Sequence, residues 1–482
     1  MSLKKTLIFG LLFACLLLYI WKIEIPTEEN EKLAKRLFPD ITEENISSLK
    51  LKNESGMAEF KKDKEGNWRY ATNGYGGTDK GAVSNLVSSL IRIEAIDTLS
   101  GERRDPELST YGLDKPVVTV EVGYSGKRRK ISLGKLNEYT RHRYAMLDGE
   151  EKVFLIPEGL YNAASKEIKE YRDKTPVDFA FLDLSSISVK GPKGGFLFKR
   201  KSASSWVAVK PHKATASLSA LSEFSRSIRN LEVSEFIDPN GEKIDQDAYG
   251  FSKPYLHIEL AFKKKLNKRP YAIDIGRRGK KKKGEFFLRI SGISSIFKLK
   301  TAVDDLLVKD FNDFREKKLF SFATDEVYSA VFNVDSGASD GRTVKLQRVK
   351  IHEKDVWKVG DKVADKEADE IFVKELLKNL ANLEAVSFPK FGETISFDKP
   401  YLTAELRLKK PGEKSVGVRK LLVVKRQKGK KEEYICKDVD NNEPFIISPA
   451  QLKRIIPRKE TLMKVEKPKD KSASEGKESD NN

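Results

Sequence analysis

Four histidines and two cysteines are the whole supply of imidazole and thiol ligands in this 482-residue chain. His142, His212, His257 and His352 show no H-x-x-x-H spacing, and Cys15 and Cys436 form neither a C-x-x-C pair nor a disulfide framework. Metal-assisted catalysis therefore has no visible ligands. A G-x-x-x-x-G-K-[ST] loop and a G-x-S-x-G elbow are both missing from the sequence, so ATP hydrolysis and serine hydrolysis lack their usual parts. Glutamates do recur, with Glu121, Glu259 and Glu405 at one position and Glu94, Glu232 and Glu384 at another. Carboxylates can act as general acid and base, but three equivalent sites alternating along strands read as a solvated polar face. His257 stands where two other segments have Thr119 and Thr403, which reads as a half-exposed, solvated side chain. The expectation is a non-enzyme with no catalytic residue, no metal and no cofactor.

Charge offers a different chemistry. The net charge is +19, and its excess is concentrated. Between residues 263 and 283 stand eleven Lys or Arg against one Asp, and residues 425–431 add five more with no acid. The residues expected to touch an anionic partner are Lys263, Lys264, Lys265, Arg277, Arg278, Lys280, Lys281, Lys282, Lys283, Lys425, Arg426, Lys428, Lys430 and Lys431. Both runs lie between expected strands, hence at hairpin ends. Such a field attracts anionic lipid headgroups, envelope polymers or an acidic protein. The runs carry no interleaved aromatics for base stacking, so nucleic acid is not the expected partner.

The elements that must position these groups begin with an apolar run, Thr6 to Trp21, preceded by Lys4 and Lys5. It reads as an uncleaved single-pass anchor, because bulky Tyr19-Ile20-Trp21 stands where a signal peptidase needs small residues. The lysines before it and the glutamates after it put the N-terminus in the cytoplasm and the bulk of the chain outside, at the inner (cytoplasmic) membrane.

Beyond it the sequence repeats. Tyr111-Gly-Leu-Asp-Lys-Pro116 returns 138 residues later as Tyr249-Gly-Phe-Ser-Lys-Pro254, and again as Ile395-Ser-Phe-Asp-Lys-Pro400. The same offset carries Trp68 onto Trp206, and Val83, Leu86, Leu90 and Ile93 onto Leu221, Phe224, Ile228 and Leu231. Val373, Leu376, Leu380 and Leu383 repeat that helical spacing after Trp357. Apolar residues at i, i+3 and i+7 predict one helix per copy with a single buried face, and the alternating runs around it predict antiparallel strands. Thr78 or Asp79 is the expected N-cap of the first helix. Tyr171-Arg-Asp-Lys174 and Phe314-Arg-Glu-Lys317 close the first two copies. Trp68, Trp206 and Trp357 read as core anchors, and Cys436 as a small packed apolar residue.

The expected fold class is α+β: three tandem repeats, each a mainly antiparallel sheet with one main packed helix and a short closing helix, behind a single N-terminal transmembrane helix. The expected boundaries are 1–25 (anchor), 26–44 (linker), 45–180, 181–323 and 324–462 (repeats), and 463–482 (disordered tail).

The Trp after a Gly-bearing turn, the Y-G-[LF]-x-K-P signature, and the strands Ile131-Ser-Leu-Gly-Lys135 and Ile273-Asp-Ile-Gly-Arg277 resemble the domain of unknown function 4340 family. The third copy departs, with Ile395-Ser396 for Tyr-Gly and Val424 for the strand glycine. The resemblance implies a membrane-anchored auxiliary component of an uncharacterised transport system of the ATP-binding-cassette type, including those linked to gliding motility. The function expected is a non-catalytic extracytoplasmic scaffold for a membrane protein complex. The alternative is a polyanion-binding module acting through the basic hairpins on anionic lipid, envelope polymer or nucleic acid.

Overall fold

The computed structural model describes residues 35–71, 74–99, 108–239, 242–279, 284–300, 303–335, 342–352, 354–361, 363–409, 416–429 and 431–464, with Phe13, Leu16, Leu17 and Lys22 ahead of them. The chain forms two compact units, residues 1–192 with 224–308 and residues 193–223 with 309–482.

In the first unit, one complete sheet is built from β1 (Ile46–Asn53), β2 (Gly56–Lys62), β3 (Trp68–Tyr70), β4 (Asp97–Leu99), β5 (Val118–Tyr124), β6 (Lys127–Asn137), β7 (His142–Leu147) and β8 (Val153–Ile156). Its order is β3-β2-β1-β5-β6-β7-β8-β4. Alternation sets its faces: Leu49 and Leu51 are fully buried, while Lys50 and Lys52 between and beside them face water. Helix α1 (Lys80–Ile91) lays Val83, Leu86, Val87 and Leu90 on the inner face. Each such side chain contributes about 1.5–3 kcal/mol by leaving water. Asp79 is its N-cap, accepting from the Ala82 amide at 2.8 Å, which satisfies one of the orphan donors at the helix start. Leu37, Phe38 and Ile41, ahead of β1, join the same core.

A nine-stranded sheet follows in sequence. Its strands β9 (Leu184–Gly191), β13 (Val233–Ile237), β14 (Leu256–Phe262), β15 (Tyr271–Arg278), β16 (Glu285–Ile290) and β17 (Ile296–Leu299) belong to the first unit, and run β9-β14-β15-β16-β17-β13. Its strands β10 (Gly194–Arg200), β11 (Trp206–Lys210) and β12 (Ala214–Ala216) belong to the second unit. The second unit also holds the third sheet, of β18 (Val327–Val334), β19 (Arg342–Ile351), β20 (Lys354–Gly360), β21 (Lys366–Glu367), β22 (Leu402–Leu408), β23 (Gly417–Lys428), β24 (Lys431–Asp438) and β25 (Pro444–Ile447). Asp369 caps its main helix, Glu370–Ala381, whose Val373, Leu376, Leu377 and Leu380 are buried.

On the outer face of each sheet lies a satellite core. Tyr111 and Leu113 pack with Val153, Phe251 with Phe287 and Ile296, and Ile395 and Phe397 against Val424, Ile435 and Ile446. These are the residues of the Y-G-[LF]-x-K-P signature and its third version, so the loop exists to cover an otherwise wet end of the sheet.

The architecture corrects the expected fold class. Strand dominates: among the described residues there are three large sheets of eight, nine and eight strands, and some of their members, such as Asp97–Leu99, are too short to show any alternation. No helix among the described residues is long and apolar enough to cross a membrane, so the single transmembrane helix expected at Thr6–Trp21 is not supported. An apolar run marks a segment that avoids water, and hydrophobicity alone does not fix the length of the helix it enters. Phe13, Leu16 and Leu17 are the described residues of that run; the rest of it, and the tail from 465, lie outside the described residues.

Candidate functional site

The basic runs are hairpin ends whose arginines are tied into the sheets. Lys263 follows β14, and Lys264 and Lys265 form a 3-10 turn. Arg278 lies opposite Glu285 and bonds it with Nε at 3.0 Å. Arg277 is mostly buried, 3.9 Å from Asp304, with its guanidinium over Tyr255 and Phe286. Arg426 pairs with Glu433 and Glu393, holding the Glu433 carboxyl below the usual range. Lys428 reaches the same Glu433 at 3.1 Å, and Lys425 sits 4.2 Å over the Tyr401 ring. Lys428 and Lys431 face each other across the β23–β24 turn. Lys280, Lys281, Lys282, Lys283 and Lys430 lie outside the described residues. The structure thus gathers Lys425, Arg426, Lys428 and Lys431 on one hairpin of the second unit, and places the 263–278 residues in the first.

Sequence reasoning misses a polar row across the outer face of the middle sheet. Register sets Lys190 of β9 opposite His257 of β14, His257 opposite Asp274 of β15, and Asp274 opposite Arg289 of β16. His257 Nδ1 lies 2.6 Å from Asp274 Oδ1 and Nε2 lies 3.1 Å from Glu259. Arg289 donates to Asp274 Oδ2 through Nε at 3.0 Å and Nη2 at 2.5 Å, and to Gln246 through Nη1 at 2.8 Å. His257 is therefore a partnered side chain rather than a merely solvated one. Burial disfavours its charged form, yet the bonds to Asp274 and Glu259 outweigh that and raise its pKa above the ordinary value. The equivalent row of the first sheet reads Lys52, Thr119, Ser132, Met146, and that of the third Asn333, Thr403, Leu422, Lys437. The charged network belongs to the middle copy alone. Only register exposes it, since the four residues are scattered over a hundred positions.

Two grooves flank this row, both within the first unit. One of about 880 Å³ is lined by Lys190, Lys253, Tyr255, His257, Arg277 and Asp247 among others. The second, of about 630 Å³, has Gln246, Arg289 and Ile296 in its wall.

The closing motif has a role the sequence did not disclose. Arg172 of Tyr171-Arg-Asp-Lys174, 5% exposed, donates through Nη1 and Nη2 to Asp238 at 2.7 and 3.0 Å and lies 4.0 Å over Phe236. Its Nη2 also donates to the Tyr75 carbonyl at 2.9 Å. Arg315 of Phe314-Arg-Glu-Lys317, 7% exposed, pairs with Glu443 at 3.2 Å and lies 3.6 Å over Phe388. Phe236 and Phe388 stand at the same place after the main helix of their copies. Each arginine therefore docks the end of one copy onto the aromatic of the next, one joint inside each unit. An arginine kept between an aromatic and an acid in both copies was the available signal.

Trp206 and Trp357 are buried, and Trp68 is half-buried against the first core. Each carries a cation from the neighbouring strand: Lys62 over Trp68 at 5.4 Å, Arg200 over Trp206 at 4.5 Å, Arg348 over Trp357 at 5.0 Å. Glu121 and Glu405 lie on outer faces beside Arg128 and Lys420. Cys436 is fully buried, and burial pushes its thiol well above the usual range.

No curated protein and no solved structure matches this chain. The model of one family, described as Domain of unknown function (DUF4340), matches residues 68–254 and again 206–411. Each match opens on a repeat tryptophan, and the first runs through the Lys-Pro of the next copy, so the family unit includes the stretch in which Arg172 meets Phe236. The two matches together span more than half of the sequence, and the chain belongs to this domain of unknown function family.

Proposed function

We propose that this chain is a non-catalytic interaction subunit, an auxiliary component of a transport assembly of the ATP-binding-cassette type, of the kind linked to gliding motility among others. The reading is supported by what recurs in the copies: the side chains repeated from copy to copy serve packing and joining, with Arg172 and Arg315 as buried clamps between successive copies. A framework built this way offers broad sheet and hairpin surfaces to a partner. Such an assembly sits at the cytoplasmic membrane, so the proposal carries a location with it.

The test is purification of the tagged full-length chain in mild detergent after brief crosslinking. Permease and ATPase subunits are expected at near-stoichiometric yield. A chain that elutes alone, under conditions in which other transport complexes of the same cells stay intact, overturns the reading.

A second reading, polyanion binding through the basic hairpins, is favoured by Lys428 facing Lys431 at the β23–β24 end. It requires that affinity fall steeply with salt.

A further inference from the structure

We propose that the groove beside the His257 row binds a phosphate group, with Lys190 and Lys253 as its direct donors. This site goes beyond the scaffold reading and stands or falls separately from it.

The groove is built from two family features. Its rim is the Tyr249-Gly-Phe-Ser-Lys-Pro254 loop, and its wall includes Arg277 from the I-x-[IL]-G-[KR] strand. Gly250 adopts φ +80°, and a Cβ there would lie 2.7 Å from the Arg277 carbonyl oxygen. The loop is thus pressed onto the strand, and Lys253 is held at a fixed place on the rim. Lys190 enters from β9, directly across from His257.

Charge decides the class of occupant. Lys190, Lys253, Arg277 and His257 face this space with Asp247. Neither Lys190 nor Lys253 has an ion-pair partner among the described residues. Asp274, the acid next to His257, is already shared between that ring and Arg289, so little of its charge is left to oppose an anion. An anionic ligand therefore gains both lysines at small desolvation cost.

Donor chemistry narrows it further. A carboxylate is best recognised by the planar fork of an arginine. Arg277, the arginine of this groove, lies over Tyr255 and Phe286 and near Asp304. The two remaining donors are ammonium groups, point charges that can each approach a different oxygen of a tetrahedral phosphate. His257 acts as a positioning residue: its ring, held by Asp274 on one nitrogen and Glu259 on the other, fixes the wall of the groove across from Lys190. The first copy has Thr119 at this place and the third has Thr403, so the site belongs to the middle copy.

The experiment titrates the full-length chain with inorganic phosphate by calorimetry, and with vesicles of phosphatidylglycerol in phosphatidylcholine by co-sedimentation. Saturable phosphate binding is expected. Lys190→Gln combined with Lys253→Gln should weaken it roughly tenfold or more, the size expected for losing charge-assisted hydrogen bonds. Both side chains are at the surface, so the thermal midpoint should hold; if it does not, Lys190→Gln alone is read against wild type. Lys374→Gln, on the exposed side of the Glu370–Ala381 helix in the other unit, should change nothing. Vesicle binding that inorganic phosphate competes away points to a lipid headgroup, and phosphate binding without vesicle binding points to a soluble source; both support the site. Unchanged affinity in the lysine variants overturns it. So does binding of polyglutamate with neither phosphate nor vesicles bound, which would make the groove a seat for an acidic peptide.

Discussion

The carbonyl oxygen of Tyr249 occupies the space where Gly276 would carry a side chain: a Cβ built there lies 2.0 Å from it. Tyr111 and Gly134 stand in the same relation at 2.2 Å, where the Lys135 amide also donates to the Tyr111 carbonyl at 2.8 Å. The glycine of the I-x-[IL]-G-[KR] strand and the Y-G-[LF]-x-K-P loop are thus one contact seen at two places in the sequence. In the third copy Ser396 and Val424 replace both glycines, and Val424 packs with Ile395 and Phe397 instead.

Gly276→Ala must therefore lift the loop from the sheet. The expected cost is about 1–3 kcal/mol, the range for overpacking a filled site, measured as denaturant midpoint at unchanged m-value. Gly159→Ala is the control. A Cβ at Gly159 meets nothing within 4 Å, so that change should be close to neutral.

Arg172→Ala should be far more damaging than its place in a short closing segment would suggest. It leaves Asp238 without its bidentate partner, and breaking a buried pair from one side costs about 3–5 kcal/mol. Arg172→Met with Asp238→Leu removes both charges and should recover most of the loss. Hydrogen exchange of β13 and β17 is the local readout: faster exchange in the single variant and near wild-type protection in the double one would confirm the clamp. Equal protection in all three would end it.

What the sequence disclosed follows from what is local. The main helices were legible because their apolar spacing is written within twelve residues, and Asp79 stands where a cap must. Arg172 was visible as a repeated letter, but its partner Asp238 is 66 residues away. His257, Asp274 and Arg289 meet only after three strands take their register, so no spacing rule could collect them. Asp97–Leu99 escaped because three residues show no period. The apolar run at Thr6–Trp21 is read from hydrophobicity alone, and no helix of the described residues is long and apolar enough to cross a membrane.

The His257 contacts make stability pH-dependent. Its folded pKa is raised, with the bonds to Asp274 and Glu259 overcoming desolvation, so the imidazolium is preferred in the folded state. That contribution is fully present below the unfolded value of about 6.5 and is lost as pH rises through the folded pKa. His257→Thr, the residue of the other two copies, should therefore lower the thermal midpoint more at pH 6 than at pH 8.5. A difference that is flat with pH, or larger at pH 8.5, would show that the ring is held neutral.

The three tryptophans give a graded prediction, because equal places in a repeat do not carry equal burial. Trp206 is fully buried and Trp357 is 3% exposed, whereas Trp68 lies half-exposed at the rim of its core, where Lys62 passes over it. Truncating a buried Trp to Ala costs about 3–5 kcal/mol, since it combines lost transfer free energy with a cavity the surroundings only partly fill. At Trp68 solvent can enter the space left behind, so the cavity contribution shrinks and the loss should fall to roughly half. Trp206→Ala and Trp357→Ala should thus lower the denaturant midpoint of the full chain clearly more than Trp68→Ala. Acrylamide quenching checks the premise independently: a chain retaining only Trp68 of these three, with Trp206→Phe, Trp357→Phe and Trp21→Phe, should be quenched more efficiently than one retaining only Trp206. The reverse order in both measurements would mean that Trp68 is the anchor and Trp206 the accessible ring, and the core reading of the middle tryptophan would have to be given up.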